Sequence, residues 1–170
     1  MSQKILIAYA TRYGSTREVA EKISDHIKLE GYCVELIPCK EVESLESYKF
    51  IIFGTPLYIG RMLKDAKSFL VKHQDELSKK PVAIFSLGPL RQVQHDLEST
   101  RSQLDQELKQ FPWLKPVSIE MFGGKYDPKQ LHFPDKFLIL LPASPLYKIP
   151  AIDNRNWKDI EKYTNELKLF

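Results

Sequence analysis

An uninterrupted apolar run, Ile5-Leu6-Ile7-Ala8-Tyr9-Ala10, passes directly into Thr11-Arg12-Tyr13-Gly14-Ser15-Thr16, and an amphipathic stretch begins there. A strand with no polar alternation reads as buried on both faces, the condition of a parallel sheet covered by helices. The six-residue loop then lies where a strand ends and a helix begins. Hydroxyls at Thr11, Ser15 and Thr16, with Gly14 for backbone freedom, let several backbone N–H groups converge on an anion at the positive end of the helix macrodipole. The loop is neither Gly-x-x-x-x-Gly-Lys-Ser/Thr nor Gly-x-Gly-x-x-Gly, which disfavours a nucleoside triphosphatase and a dinucleotide fold. Its chemistry suits a single phosphate monoester. Ser15-x-x-Glu18 also fits a plain capping box, in which the same residues do no more than satisfy orphan helix donors.

The rest of the chain repeats strand and helix. After the first strand, Lys4 to Ala10, a helix carries Val19, Ala20, Ile23 and Ile27 at helical spacing and ends at Gly31, where a left-handed cap is expected. Tyr32 to Ile37 is the second strand, closed by Pro38, and Cys39 to Ser47 is a short connection with one helical turn. Tyr48 to Phe53 is the third strand, broken by Gly54-Thr55-Pro56, and Met62 to Glu76 is helical with Leu63, Ala66, Phe69, Leu70 and His73 along one side. Val82 to Leu87, a helix from Asp96 to Gln110, Val117 to Phe122 and a helix from about Asn154 to Leu169 complete the series. Five such alternations predict an α/β, doubly wound five-stranded parallel sheet, and the length predicts one domain over residues 1–170. Lys125 to Ile152 breaks the pattern. This long insert after the fifth strand holds five prolines and an apolar burst from Phe137 to Leu141. It reads equally as an excursion beside a ligand pocket, an interaction surface, or a flap packed over the last helix.

From Ile7 through Ala20 the chain resembles the flavodoxin signature, with an aromatic at Tyr9, hydroxyls at Thr11 and Thr16 and Gly14 between them; Ala8 is smaller than usual. The strand order 2-1-3-4-5 is taken from that resemblance. In such a sheet the ligand lies beyond the carboxyl ends of the strands, where four loops meet. They are Thr11 to Thr16, Thr55 to Arg61, Ser86 to Arg91 and Gly123 to Asp127. Thr55-Pro56-Leu57-Tyr58-Ile59-Gly60 and Gly123-Gly124-Lys125-Tyr126 each pair glycine with an aromatic, which suits a flat ring, and Ser86-Leu87-Gly88 supplies a third wall. A phosphate at one end and a tricyclic ring at the other describe flavin mononucleotide (FMN). Within the resemblance, Gly60 is the glycine whose peptide can turn toward the reduced ring, and Tyr58 is the stacking aromatic.

The likeness sharpens along Tyr58-Ile59-Gly60-Arg61, then Ala66, Phe69, Lys72 and His73, then Phe85-Ser86-Leu87, with Tyr126, the insert and Trp157 beyond. These are similar to the flavodoxin-domain family that includes menaquinone-dependent protoporphyrinogen IX dehydrogenase. The resemblance implies an FMN-dependent oxidoreductase that removes hydrogens from a reduced tetrapyrrole and passes electrons to a quinone. Basic side chains at Arg61, Lys64, Arg91, Lys125 and Lys136 would then face porphyrin carboxylates. No catalytic side chain is assigned, because the cofactor carries the chemistry. Two regions depart from the family: Leu141-Pro142-Ala143-Ser144-Pro145-Leu146-Tyr147 cuts a helix short in the insert, and Gln92-Val93-Gln94-His95 thins the basic cluster after strand four.

A net charge of +3 is unlike the strong acidity of flavodoxins that shuttle electrons, so a one-electron carrier is the second reading and a flavin-free interaction module the third. Cys33 and Cys39 form no metal or redox pair, His26, His73, His95 and His132 have no ligand spacing, and no Gly-x-Ser-x-Gly elbow is present. No metal is expected, nor is nucleic acid, since no basic and aromatic stripe occurs. The apolar runs are too short to span a bilayer, so a cytoplasmic protein is expected. Phe133, Phe137, Leu138 and Leu141 of the insert would meet the inner membrane face or a second copy in a homodimer.

Overall fold

The computed structural model describes residues 4–88, 94–144 and 146–169. The first apolar run is β1 (Lys4–Tyr9), flanked by β2 (Cys33–Pro38) and β3 (Phe50–Tyr58); β5 (Val82–Leu87) and β6 (Ser118–Phe122) continue the sheet beyond β3. All these pairings are parallel and the order is β2-β1-β3-β5-β6, which is the expected 2-1-3-4-5 once β4 (Arg61–Met62), a short antiparallel partner of β3, is set aside.

Alternation of side chains sends Ile5, Ile7 and Tyr9 to one face and Leu6, Ala8 and Ala10 to the other. The first face is covered by α1 (Ser15–Leu29) and α6 (Trp157–Glu166), which bring Val19, Ile23, Ile27, Ile160 and Tyr163 against it. The second is covered by α2 (Lys64–Lys72), whose Ala66, Phe69 and Leu70 pack with Phe53, Ile84 and Phe111. Gly31 ends α1 as expected: at φ 92° its N–H donates to Lys28 O at 3.0 Å, and that of Tyr32 reaches back to Ile27 O at 3.4 Å, a Schellman closure.

Two expectations are corrected. The helix read as continuous from Met62 to Glu76 begins at Lys64 and breaks at His73, leaving α3 (Gln74–Leu77) as a separate turn. His73 is buried, its ring 5.1 Å from that of Phe69, with Nε2 3.3 Å from the Val42 carbonyl oxygen, and its backbone leaves the helical region. The third strand also does not stop at Gly54-Thr55-Pro56. It runs on through Tyr58 and folds back on β4 through Ile59-Gly60, with Tyr58 opposite Arg61 and Leu57 opposite Met62. Both turn residues have positive φ, 51° and 72°, as a two-residue type I′ hairpin requires. Gly60 adopts this without penalty, whereas β-branched Ile59 is strained there.

The remaining elements are α4 (Gln94–Leu108), β7 (Lys125–Tyr126), α5 (Asp135–Leu138) and β8 (Ile152–Asp153), the last three forming the insert and its closure. Cys33 is exposed, whereas Cys39 is buried and its thiol pKa is pushed up by that burial; both are free. Among the described residues no helix is long and apolar enough to cross a membrane.

Gly54 shows how closely the central strands depend on one another. It lies opposite Tyr9 on one side and Phe85 on the other, and the Phe85 ring covers it so tightly that a Cβ would fall 2.2 Å from the ring. Gly54→Ala should therefore destabilise the fold by about 1–3 kcal/mol, the usual cost of overpacking a close-packed core. A lowered urea midpoint with an unchanged slope would bear this out; an unmoved midpoint would mean that Phe85 has room to yield.

Candidate functional site

Strand order reverses between β1 and β3, and the loops that leave their carboxyl ends emerge side by side. The Ala10 N–H donates to Gly54 O at 2.9 Å, which fixes the start of the first loop to β3. Thr11 Oγ1 accepts from the Gly14 N–H at 3.0 Å, and Gly14, at φ 86°, caps α1 without a side-chain hydrogen bond. The capping-box alternative is not realised. Ser15 is already inside the helix, and the Glu18 carboxylate turns away to Lys125 and Arg155. The hydroxyl of Thr16 is fully buried at this helix end and finds no partner among the described residues.

A clamp behind the loop holds this helix end. Arg155, with a side chain only 3% exposed, pairs with Glu18 at 2.7 Å and with Asp153 at 2.6 Å, and its Nη1 donates to the Ser15 carbonyl oxygen at 3.4 Å. Its guanidinium stands 4.7 Å over the Trp157 ring. Lys125 Nζ donates to Glu18 at 3.0 Å. Burial alone would raise the Glu18 pKa, but the hydrogen bonds from Lys125 and Arg155 outweigh it and hold the carboxyl below its usual range. Lys125 and Asp153 are also opposite one another in the β7–β8 pair, so the first turn of α1 is tied to the base of the insert. Gly123 is essential to that closure, since a Cβ there would lie 2.0 Å from the Asn154 carbonyl oxygen.

The far end of the insert returns to the same loop through one carboxylate. Asp135 is buried and accepts from Arg12 Nε at 2.8 Å and from the Tyr13 hydroxyl, with the Arg12 Nη2 at 2.7 Å and the Tyr58 hydroxyl also bonded to it. Burial works against its ionisation, but the bonds from Tyr13, Tyr58 and Arg12 prevail and keep its pKa depressed. Arg12 meanwhile lies 4.3 Å over the Tyr58 ring. The two tyrosines and the arginine thus join the first loop, the β3–β4 hairpin and α5.

Between these elements is a cavity of about 630 Å³, within the range of small-molecule sites. Arg12, Tyr13 and Ser15 line one end of it; Pro56, Leu57, Tyr58 and Ile59 form one wall; Leu87, Gly88, Gly124 and Tyr126 form another. The insert adds an apolar side of Leu131, Leu138, Ile139, Leu141 and Leu146. The other expected site residues lie behind the lining. Thr11, Gly14 and Thr16 shape the loop, Ser86 Oγ donates to the Thr55 carbonyl oxygen at 2.9 Å beneath the floor, Gly60 completes the hairpin, and Gly123 supports the closure. Of the basic side chains expected at substrate carboxylates, Lys125 lines the cavity, whereas Arg61, Lys64 and Lys136 are exposed outside its lining. Arg91 and the thinned cluster from Gln92 lie outside the described residues or their described side chains.

Asp135 and Arg155 were not expected from the sequence. For Asp135 a signal exists, since it is the sole acid between Lys129 and Pro150. For Arg155 the sequence shows only its neighbours Asp153 and Trp157; the Glu18 and Ser15 it holds come from the other end of the chain.

The profile described as flavodoxin domain matches residues 6–148. The chain is 25% identical over 141 residues to protoporphyrinogen IX dehydrogenase [quinone] of Escherichia coli, covering 81% of this chain and 77% of that one. It is 32% identical over 90 residues to a flavodoxin from a Nostoc species, covering 52% and 53%. Oxidised flavodoxin 1 from Bacillus cereus matches in structure with a TM-score of 0.59 at 16% identity over 96% of each chain, a likeness of fold.

Because the folded pKa of Asp135 is depressed, its contribution is complete above the unfolded value of about 3.9 and is lost as pH falls through the folded one. Asp135→Asn should cost about 1–2 kcal/mol at neutral pH, toward the lower end for a charged hydrogen bond because Arg12 is 38% exposed. Urea midpoints of the two proteins should converge below about pH 4. A gap of constant size down to pH 3 would mean that the charge of Asp135 is not what holds α5.

Proposed function

The chain belongs to the flavodoxin-domain family, and on that premise we propose that it is an FMN-dependent dehydrogenase of a reduced tetrapyrrole, acting as one domain over residues 1–170 with a quinone as electron acceptor. Flavodoxin-domain proteins are oxidoreductase-related flavoproteins, and the family implies FMN. When bound, FMN supplies the redox chemistry, so that each pair of hydrogens taken from the tetrapyrrole reduces one quinone to the quinol.

The residues fit that cofactor. An unpartnered, buried Thr16 hydroxyl at the N-terminus of α1 suits a phosphate oxygen, and the macrodipole there adds to it. The cavity walls from Pro56 to Ile59 and at Leu87 and Tyr126 are mainly apolar, as a flat ring system requires. Arg155 and Lys125 keep the helix end in place through Glu18. Tyr58 offers a ring face, and buried Leu87 helps to exclude water from the same space.

The observation that carries the enzyme reading is the apolar side which the insert adds to the cavity. A carrier that exposes only the edge of its cofactor has no need of Leu131, Leu138, Ile139, Leu141 and Leu146 around the site, whereas a large apolar substrate does. The weakly basic surface also suits an anionic substrate better than it suits docking on basic redox partners. The identity to the Escherichia coli dehydrogenase supports the choice of tetrapyrrole and quinone.

FMN should bind flavin-stripped protein far more tightly than riboflavin, which lacks the phosphate. Thr16→Val removes a hydroxyl that has no partner in the chain, so it should leave the unliganded stability unchanged or slightly raised. It should nevertheless weaken FMN roughly tenfold, one charge-assisted hydrogen bond, without affecting riboflavin. Fluorescence titration measures both. FMN-loaded protein should oxidise protoporphyrinogen well above the spontaneous rate when a menaquinone analogue is supplied; failure of this assay with FMN bound would remove the substrate reading while leaving the cofactor.

A further inference from the structure

The β3–β4 hairpin forms one wall of the cavity, yet its own turn works against it. Ile59 is β-branched and at φ 51°, where a side chain crowds the backbone, and at 81% exposure its own packing does little to hold it there. A conformation of this kind persists only where its surroundings enforce it. In a two-residue hairpin the pair flanking the turn, Tyr58 and Arg61, is the hydrogen-bonded one, and the next pair, Leu57 and Met62, is not. The Met62 N–H is therefore aimed away from β3. Glu107 of α4 meets it: its Oε2 accepts from Met62 N–H at 3.0 Å and pairs with Lys67 of α2 at 2.7 Å, and its Oε1 accepts from Gln110 Nε2 at 3.0 Å. One turn earlier on the same face of α4, Gln103 lies against the turn itself, its Oε1 3.2 Å from where a Gly60 Cβ would be.

Glu107 is buried and lies outside the cavity lining. Burial would raise its pKa, but the bonds from Lys67 and the Met62 N–H prevail and hold the carboxyl below its usual range. A buried carboxylate is costly unless its bonds are made, and one of these bonds goes to the backbone of the strained hairpin. We propose that Glu107 is a positioning residue that holds this hairpin in the form that walls the cavity, so that α4 sets how well the site receives the ring of the cofactor. This rests on the reading of the cavity as an FMN site. Without the brace the hairpin leaves the strained form, and the apparent affinity for a ring falls with the fraction of chains that retain it. The loss belongs to the ring end of the site. FMN and riboflavin therefore lose equally, unlike the loss expected at Thr16, which riboflavin does not feel.

The test combines fluorescence titration of FMN and riboflavin with amide hydrogen exchange at Tyr58 and Arg61 in the flavin-stripped protein. Glu107→Leu should weaken both flavins by the same factor, about tenfold, which corresponds to the strain of one left-handed residue, and should speed exchange at both amides. E107Q should bind within about twofold of the parent, because its amide oxygen accepts from Met62 and Lys67 while the Gln110 amide turns over to accept from its NH2. Asn-Gly is the pair that a type I′ turn favours, so in the I59N background E107L should weaken either flavin by less than about threefold and leave exchange at Tyr58 and Arg61 near the parent's. A general loss of stability would show no such dependence on position 59. I59N alone should raise the urea midpoint, a readout that stands even if E107L fails to fold. The proposal is overturned if E107L binds both flavins like the parent, if it weakens FMN alone, if it weakens them as much in the I59N background, or if I59N leaves the midpoint unmoved or lowered. A parent protein that binds neither flavin would fail the FMN reading instead. Exchange that is faster in E107L and restored in I59N/E107L would then still uphold the brace, and unchanged exchange would overturn it.

Discussion

Burial of β1 on both faces governs the arrangement of everything else. Ile5, Leu6 and Ile7 are wholly buried, and each such side chain is worth about 1.5–3 kcal/mol against exposure. A ladder hydrogen bond contributes a net of about 0.5–1.5 kcal/mol. Packing therefore decides where the strand lies, and the ladder decides its register. With both faces committed to helices, the open place for a ligand is the end of the sheet, where β1 and β3 part company and the N–H groups of α1 point outward.

The insert is held at two points of different character. At its base Arg155 is nearly inaccessible and engaged by two carboxylates, Glu18 and Asp153, and by the Ser15 carbonyl oxygen, so removing one carboxylate would leave buried guanidinium donors unpaired while the other still balances the charge. At its tip Asp135 is buried, but its charged partner, Arg12, is partly in water. Solvent screening makes the second hold the weaker one. Of the two holds, the tip is therefore the one expected to yield first, and with it the apolar side of the cavity. The hydroxyls of Tyr13 and Tyr58 give the tip a defined closed position.

Elements whose causes are local could be read from the sequence. β1, α1 with its Gly31 terminus and the loop between them follow from burial pattern, helical spacing and a single glycine, and the strand order followed from the family likeness of that loop. β3 was read too short because Gly54-Thr55-Pro56 looks like a turn. In the structure Gly54 is the gap that admits the Phe85 ring, and Pro56 lies opposite Leu87 near the end of the ladder, so neither breaks the strand. The split at His73 arises from a side chain drawn inward to Val42, on a distant segment. Asp135 and Arg155 belong to the same class. Their hold on the first loop and on α1 comes from partners more than a hundred residues away, Arg12 and Glu18, which the lone acid at Asp135 and the neighbouring Asp153 do not by themselves reveal.

The β7–β8 pair has a consequence for how such a chain can change. Tyr126 and Ile152 face one another in that pair, so the insert leaves the frame and rejoins it at one point. The polypeptide between them is topologically a side branch, and the sheet does not pass through it. The entropy of closing a loop grows only as the logarithm of its length, about 0.6 kcal/mol per doubling. A branch rooted in this way can be lengthened, shortened or exchanged with little effect on the five parallel strands. What the branch adds to the cavity, its apolar side, is thus the part of this chain most free to change while the strand order stays fixed.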